Sequence, residues 1–482
     1  MDFPPRHRVP DGTAAGARPA CGQSAPRGSA SSLFASPLPG DLSALPIRIG
    51  SILALAAFAA FAEPATEPAC REAEGRNVTF QDFQGLRTTD AAVVVRELRN
   101  HPGEPFSCAK WEREKARLED LDIFSEVGLE TAVRDSQVAL TYRFRELPPY
   151  IPFVAVSKTD QDGLSLGPAL ASLNFLGQGL RAEIITRFGG TNEAQVSLTS
   201  TRLGSLPLQY DLALLRVDSY NDFEAFHENS WRAKLDLALG LETWGGPEAA
   251  LLLADGEVFR LGKGRGDSAV LLRAGGDWVP RLGIGFRWDG RNRRHLPVRG
   301  VFQEFRVTQN GGFLGGPAAY REWLSDSRGY LPWSPRNTAV IMALYQYRDG
   351  ITGRTFGRYD RFHAGGSNTL RAYPRDSFQG KSECILTWEN RTDLIPRRNF
   401  RLWRWGTFAA LQGVLGLEAA SLWDHNAMME ADFHPAWYAG LHVVSAGVDR
   451  IRIEAGSKFA KFEVDWDLGI LDKADVQRFR AR

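Results

Sequence analysis

The sequence predicts an all-β transmembrane antiparallel β-barrel of about 16 strands, preceded by a small β-α-α-β-β domain. Three observations carry this expectation. An apolar export signal lies near the start, helical patterning is confined to one short region, and alternating apolar and charged runs then continue to the chain end. Charged residues make up 24%, aromatics 11%, and mean hydropathy is −0.27, which excludes a multi-helix membrane protein but not a barrel. A net charge of +1 gives no steering towards nucleic acid.

Residues 1–62 read as a leader. Residues 1–45 are rich in Pro, Gly, Ala and Arg and have no periodicity. Arg48 then precedes an apolar run from Ile49 to Phe61 that closes on Ala60-Phe61-Ala62, so 49–62 supplies the h-region and cleavage site of a secretory signal. The run is too short to span a bilayer as a helix; a buried core helix is the competing reading. Either translation starts downstream of Met1 or the leader is unusually long, and the first is preferred.

Residues 63–75 read as a linker. Of the four cysteines, Cys21 would leave with the leader. Cys70 and Cys108 can pair in an oxidising compartment, and Cys384 stands alone in a strand-like run. No CxxC or Cys/His cluster suggests a metal.

Residues 76–147 read as one compact unit. "NVTFQDFQGL" places Val78, Phe80 and Phe83 ahead of a turn at Gly85. "TTDAAVVVRELRN" follows with Thr88 or Thr89 as N-cap and Asp90 in the first turn. "SCAKWEREKARLEDLDIF" gives a second helix capped by Ser107, with Trp111, Leu118 and Leu121 on one face. "EVGLETAV" and "QVALTYRFRE" close the unit as strands. Its segments "FQGLRTTD", "GEPFS" and "LEDLDIFSEV" resemble a polypeptide-transport-associated (POTRA) domain. The resemblance implies that Glu126–Val133 is an edge strand able to accept an extended peptide, with Glu126, Val127, Leu129 and Val133 as its contact residues. An inert spacer, blunted by Glu126, Glu130 and Arg134, is the alternative.

After "ELPPYIPF", read as a proline-marked linker, residues 148–482 hold only strand-like runs. "WRAKLDLALGL" sets Trp231, Ala233, Leu235 and Leu237 opposite Arg232, Lys234 and Asp236; "LRAEIITRF" and "KFEVDWDLGI" alternate in the same way. Such a pattern fits either a soluble sandwich or a barrel with a polar lumen. The export signal, the unbroken run of strands and aromatics near strand ends (Trp231, Tyr345, Tyr347, Trp423) favour the membrane barrel.

One long connection stands out: "GRYDRFHAGGSNTLRAYPRDSFQG", Gly357 to Gly380. "FHAGGSNTLRAY" resembles loop six of the BamA/TamA-like outer-membrane assembly family, also called bacterial surface antigen proteins. "NFLGQG" (Asn174–Gly179), "RWDGRNRRHLPVRG" (Arg287–Gly300), "TWENR" and "SLWDHN" resemble further family segments, so the likeness spans residues 76–470. It implies a loop folded back into the barrel, held by Gly365, Gly366, Leu370, Arg371 and Tyr373, with Glu389 and Asp424 as partners of Arg371. A guanidinium in a water-poor lumen requires such partners, and its planar fork suits carboxylates. A solvated loop charge is the alternative. Where the family has Gly after the arginine, this chain has Ala372.

The first barrel strand is expected at "GLSLGPALASLNF", which carries Pro168, and the last at "KFEVDWDLGI", which ends near Gly469. Proline donates no ladder hydrogen bond, so this closing pair is expected to be a weak seam, unless the strand begins only at Ala169. "LDKADVQRFRAR" follows without the terminal aromatic residue usual in the family. No GxSxG, HExxH or P-loop is present, and "GKGRGD" reads as a hairpin turn, so neither an enzyme nor a cofactor is expected. The resemblance implies a bacterial outer-membrane location with the POTRA domain in the periplasm. It implies outer-membrane lipids, unfolded client polypeptides and periplasmic accessory proteins as partners, and insertion or translocation of those polypeptides as the role. A dedicated secretion pore and an inert surface barrel remain the alternatives.

Overall fold

The computed structural model describes residues 68–465 except 160–162, 205, 222–225, 245–248, 263–270, 274–275, 294–295, 367–368, 375–376, 403–404, 425–431, 446–447 and 458. The expected leader, Gly469 and the C-terminal tail lie outside the described residues, as does most of "GKGRGD".

The first domain runs through helix α1 (Pro68–Ala73), strand β1 (Asn77–Gln84), helices α2 (Ala91–Val95) and α3 (Cys108–Asp120), and strands β2 (Phe124–Arg134) and β3 (Gln137–Glu146). Its sheet has the order β1-β3-β2, with β1 parallel and β2 antiparallel to the central β3. Val94, Trp111 and Leu118 from the helices bury against Val138, Leu140 and Tyr142 of β3. Their burial is the main stabilising term, about 1.5–3 kcal/mol for each large apolar side chain.

Several local expectations change. The linker of 63–75 is partly helix α1, because Cys70 and Ala73 are buried in this core and Cys70 is bonded to Cys108, with Cα atoms 5.5 Å apart. Asp90, not a threonine, caps α2 by accepting from Ala92 N–H. Thr88 and Thr89 instead donate their N–H groups to the Glu146 carboxylate. Ser107 sits at the N-cap of α3 but makes no side-chain cap bond; Glu74 accepts from Cys108 N–H there. Phe80 points out, 59% exposed, because a register shift between Val78 and Phe80 reverses the facing of the residues that follow.

The second body begins with β4 (Tyr150–Thr159), β5 (Gly163–Phe175), β6 (Leu180–Gly189), β7 (Asn192–Ser200) and β8 (Leu208–Asn221). β9 (Phe226–Gly240), β10 (Ala250–Leu261), β11 (Asp277–Asp289), β12 (Gly300–Gly311), β13 (Ala319–Ser334) and β14 (Asn337–Arg348) continue it. The long connection carries a small separate hairpin, β15 (Phe362–Ala364) with β16 (Phe378–Gly380). β17 (Ser382–Leu402), β18 (Trp405–Trp423), β19 (His434–Ser445), β20 (Val448–Gly456) and β21 (Phe459–Asp465) complete the series. Apart from the hairpin, these strands form one 16-stranded sheet in sequence order, β4 through β21.

Burial resolves which face meets which medium. Arg232 and Lys234 are buried at 3% and 7% exposure, while Trp231 and Leu235 on the other face are 52% and 42% exposed. The same inversion holds on β6, where Glu183 is buried and Ile184 exposed. A water-soluble sandwich would do the reverse; charged residues inside and apolar residues outside are the pattern of a barrel in lipid.

The first strand is not the expected one. Of "ELPPYIPF" only residues 147–149 link the two bodies; Tyr150 already begins β4, which bears Pro152. Proline fits there because β4 is a terminal strand, hydrogen-bonded on one side by β5 alone. Pro168 therefore lies one strand in from the seam, opposite Val154. Among the described residues β4 and β21 are the two ends of the ladder and are not paired with each other.

The sheet curls. The first domain touches the β5–β6 turn (Asp90 N–H to Gly177 C=O, 3.0 Å), the β9–β10 turn (Arg99 to Glu242, 2.7 Å), the β11–β12 turn (Arg293 to Glu119, 3.0 Å) and the strand end before the β17–β18 turn (Arg397 to Ser125 C=O, 3.3 Å). A domain this small reaches turns so far apart in the ladder only where the sheet bends round.

Candidate functional site

Loop six, the connection from β14 to β17, turns inward, and its tip is buried. Gly365 and Gly366 take φ of +122° and +87°, a region open to glycine and strained for other residues. Gly366 N–H then donates to Tyr373 C=O, closing a tight arch over Leu370 and Arg371. Leu370 and Ala372 are fully buried and pack with Leu324, Leu344, Ile385, Ala420 and Ala436 of the wall. Tyr373 donates its hydroxyl to Pro435 C=O at 3.2 Å.

Arg371 is 3% exposed and meets three carboxylates from three strands. Its Nη1 donates to Glu389 of β17 at 3.2 Å and to Glu454 of β20 at 3.0 Å. Its Nε lies 3.2 Å from Glu418 of β18, and its backbone N–H donates to the other oxygen of Glu418 at 2.7 Å. Its guanidinium lies over the Tyr438 ring of β19, 4.2 Å from the centroid. Arg391 also pairs with Glu389, and His442 lies 2.7 Å from Glu454. Buried charges persist only where they are matched in this way.

The wall is shaped for this ring. Glu389, Gly416 and Tyr438 are register partners across β17, β18 and β19. A Cβ at Gly416 would fall 2.1 Å from the Tyr438 ring, so the ring lies across the bare glycine and its hydroxyl donates to Glu389.

Asp424 is not a partner of Arg371. It lies just beyond the end of β18, where it binds Arg361 at 2.6 Å and accepts from Lys381 N–H at 3.0 Å. Glu418, six residues earlier within β18, takes the expected role; at about 3.3 Å per residue the two are roughly 20 Å apart along the strand direction. Alternation marks Glu418 and Glu454 as inward-facing, beside exposed Leu417 and Ile453, but carries no sign of which acid lies level with the loop tip.

The expected peptide edge is placed as follows. β2 has β3 on one side only, and Glu126 and Glu130 pair with Arg145 and Arg143 of β3. Val127 and Leu129 face the domain core, and Val133 is 36% exposed.

A second set of contacts joins the domain to the barrel. Burial would raise the Glu146 pKa, but hydrogen bonds from Thr89, Arg87 and Thr88 outweigh it and hold the carboxyl below its ordinary value. Thr89 in turn accepts from Asn174 of β5 at 2.8 Å. Glu242 is likewise held below the usual carboxylate range: burial opposes, but Arg202, Arg117 and Arg99 prevail.

Residues 174–448, more than half of the chain, match the Omp85 superfamily domain. The chain belongs to the Omp85 superfamily. This Omp85 protein is similar in fold to BamA from Haemophilus ducreyi lacking POTRA domains 1-3, with a TM-score of 0.50 at 15% identity, over 81% of this chain and 82% of that one. It is also similar to CdiB from Escherichia coli, with a TM-score of 0.54 at 14% identity, over 81% of this chain and 74% of that one. Membership makes the sheet an outer-membrane β-barrel, as the inverted burial of its two faces requires.

Proposed function

We propose that this Omp85 protein passes other polypeptides into or across the outer membrane without a cofactor or a catalytic step, its POTRA domain lying in the periplasm. The observation that carries the reading is the seam. Terminal strand β4 bears Pro152 and is bonded on one side only among the described residues. An incoming strand can add to such an edge. Edge strand β2 offers a second place for the same kind of contact, near the barrel mouth, where Arg397 donates to Ser125 C=O. Loop six, tied to β17, β18 and β20 through Arg371, stiffens the wall next to the seam while the edges separate.

Depletion followed by outer-membrane proteomics tests the proposal. Loss of several other barrels supports insertion, and loss of one exported protein supports a dedicated pore. An unchanged outer membrane overturns both. A disulfide clamp between β4 and β21 tests the seam itself: activity unaffected by the clamp removes the gate from the mechanism.

A further inference from the structure

Loop six carries a second buried charge, Asp360, eleven residues before Arg371 and 1% exposed. Its carboxylate accepts from Arg281 Nη2 of β11 at 3.1 and 3.0 Å, one contact to each oxygen. The Tyr320 hydroxyl of β13 donates to it as well, and Arg348 of β14 donates to its backbone carbonyl. The cage is held from behind: Glu257 of β10 pairs with Arg281 at 3.0 Å and Glu322 of β13 with Arg348 at 2.8 Å. Arg348 also stacks 3.6 Å from the centroid of Phe362, the first residue of the loop hairpin. Tyr320 packs edge-on against Phe356, which is fully buried at the loop's entry.

We infer that Asp360 is a second anchor of loop six, a positioning residue that fastens the loop to the β11–β14 wall through Arg281, Tyr320 and Arg348, independently of the Arg371 ring on β17–β20. The two anchors have opposite polarity. An acid of the loop sits among wall arginines on one side, and an arginine of the loop sits among wall glutamates on the other. Between the two anchors in the chain lies β15, which pairs with β16 in a hairpin packed against β18. An anchor of one sign can be mispaired with the wrong wall, whereas two of opposite sign admit one orientation of the loop. The inference rests on loop six being seated in the lumen and not on what the barrel transports.

The test is hydrogen–deuterium exchange of the full-length protein in nanodiscs, read on peptides covering 362–373, for wild type, Asp360→Asn, Arg371→Ala and the double variant. Loss of a charged hydrogen-bond partner is expected to raise exchange by about 10-fold. If the anchors are independent, Asp360→Asn raises it by the same factor with Arg371 present or absent. No increase, or an increase seen only when Arg371 is intact, overturns the proposal. Semi-native electrophoresis confirms that each variant is a folded barrel. Should Asp360→Asn fail to fold, Tyr320→Phe, which removes only the hydroxyl, replaces it in the same four-way comparison. About a 3-fold rise in both backgrounds is then expected, and none overturns the inference.

Discussion

Ala372 and Gly456 meet where the tip of loop six touches β20: a Cβ at Gly456 would lie 3.1 Å from the Ala372 methyl. The loop has a methyl where related loops have glycine, and the wall supplies the missing space instead. Gly456→Ala is therefore expected to destabilise the folded barrel by about 1–3 kcal/mol through overpacking, read as a lower unfolding temperature on semi-native gels. Adding Ala372→Gly should restore part of the loss. The remainder persists, because the new methyl also falls 2.7 Å from the Trp437 carbonyl oxygen.

The same geometry governs Gly416. Gly416→Ala should drive the Tyr438 ring off Arg371 and separate its hydroxyl from Glu389. Tyr438→Phe loses only the hydroxyl bond and is expected to cost less, about 1–2 kcal/mol. A Gly416→Ala protein no less stable than Tyr438→Phe would contradict the assigned packing.

The two acids of β18 and its end give a direct comparison. Glu418→Gln removes a buried partner of Arg371 and should cost roughly 2–3 kcal/mol. Asp424, with 43% of its side chain exposed, makes a peripheral pair with Arg361, so Asp424→Asn should change stability by about 0.5 kcal/mol or less. Equal effects of the two changes would favour the pairing expected from resemblance alone.

Glu242 predicts a pH dependence of domain docking. Its carboxyl is held below its ordinary value by Arg202, Arg117 and Arg99 against the cost of burial. The part of its stabilisation that comes from Arg117 and Arg99 of the first domain is thus fully present above the range in which the undocked carboxyl titrates and is lost as pH falls through the lower docked value. Spin-label distances between the first domain and the β9–β10 turn should stay fixed from pH 7 to 5 and lengthen below about pH 4. Arg202→Ala should weaken docking at neutral pH and flatten that dependence.

Cys70 and Cys108 close a 38-residue span. On the chain-entropy account the bond contributes about 4 kcal/mol to this domain. Reduction should lower the domain's unfolding temperature while leaving the barrel's in place. Alkylation of the unfolded, unreduced protein should label Cys384 and leave Cys70 and Cys108 unlabelled.

Much of this was legible because alternation and helix period are local signals. The strand series and the order of the first domain could be read from neighbouring residues, whereas the inward arginine with Glu389 came from the family resemblance. What failed depended on distant contacts. Phe80 departs from the alternation that Val78 begins because a bulge reverses facing without any change in composition. Proline in "PPYIPF" signalled a linker, although a terminal strand tolerates it equally well. Thr88 and Thr89 looked like helix caps until Glu146, 57 residues on from Thr89, claimed their N–H groups. Asp424 resembled the family's acid, but only the register shows that Glu418 is the one level with the loop tip.

The Arg371–Glu454 contact joins residues 83 apart, and Asp360–Arg281 joins residues 79 apart in the opposite direction along the chain. Asp360 can seat as soon as β14 has been laid down, whereas Arg371 must wait, hydrated, until the segment ending in β20 is in place. Seating the tip is then one of the last events of biogenesis, and a chain halted before that point carries Arg371 open to water.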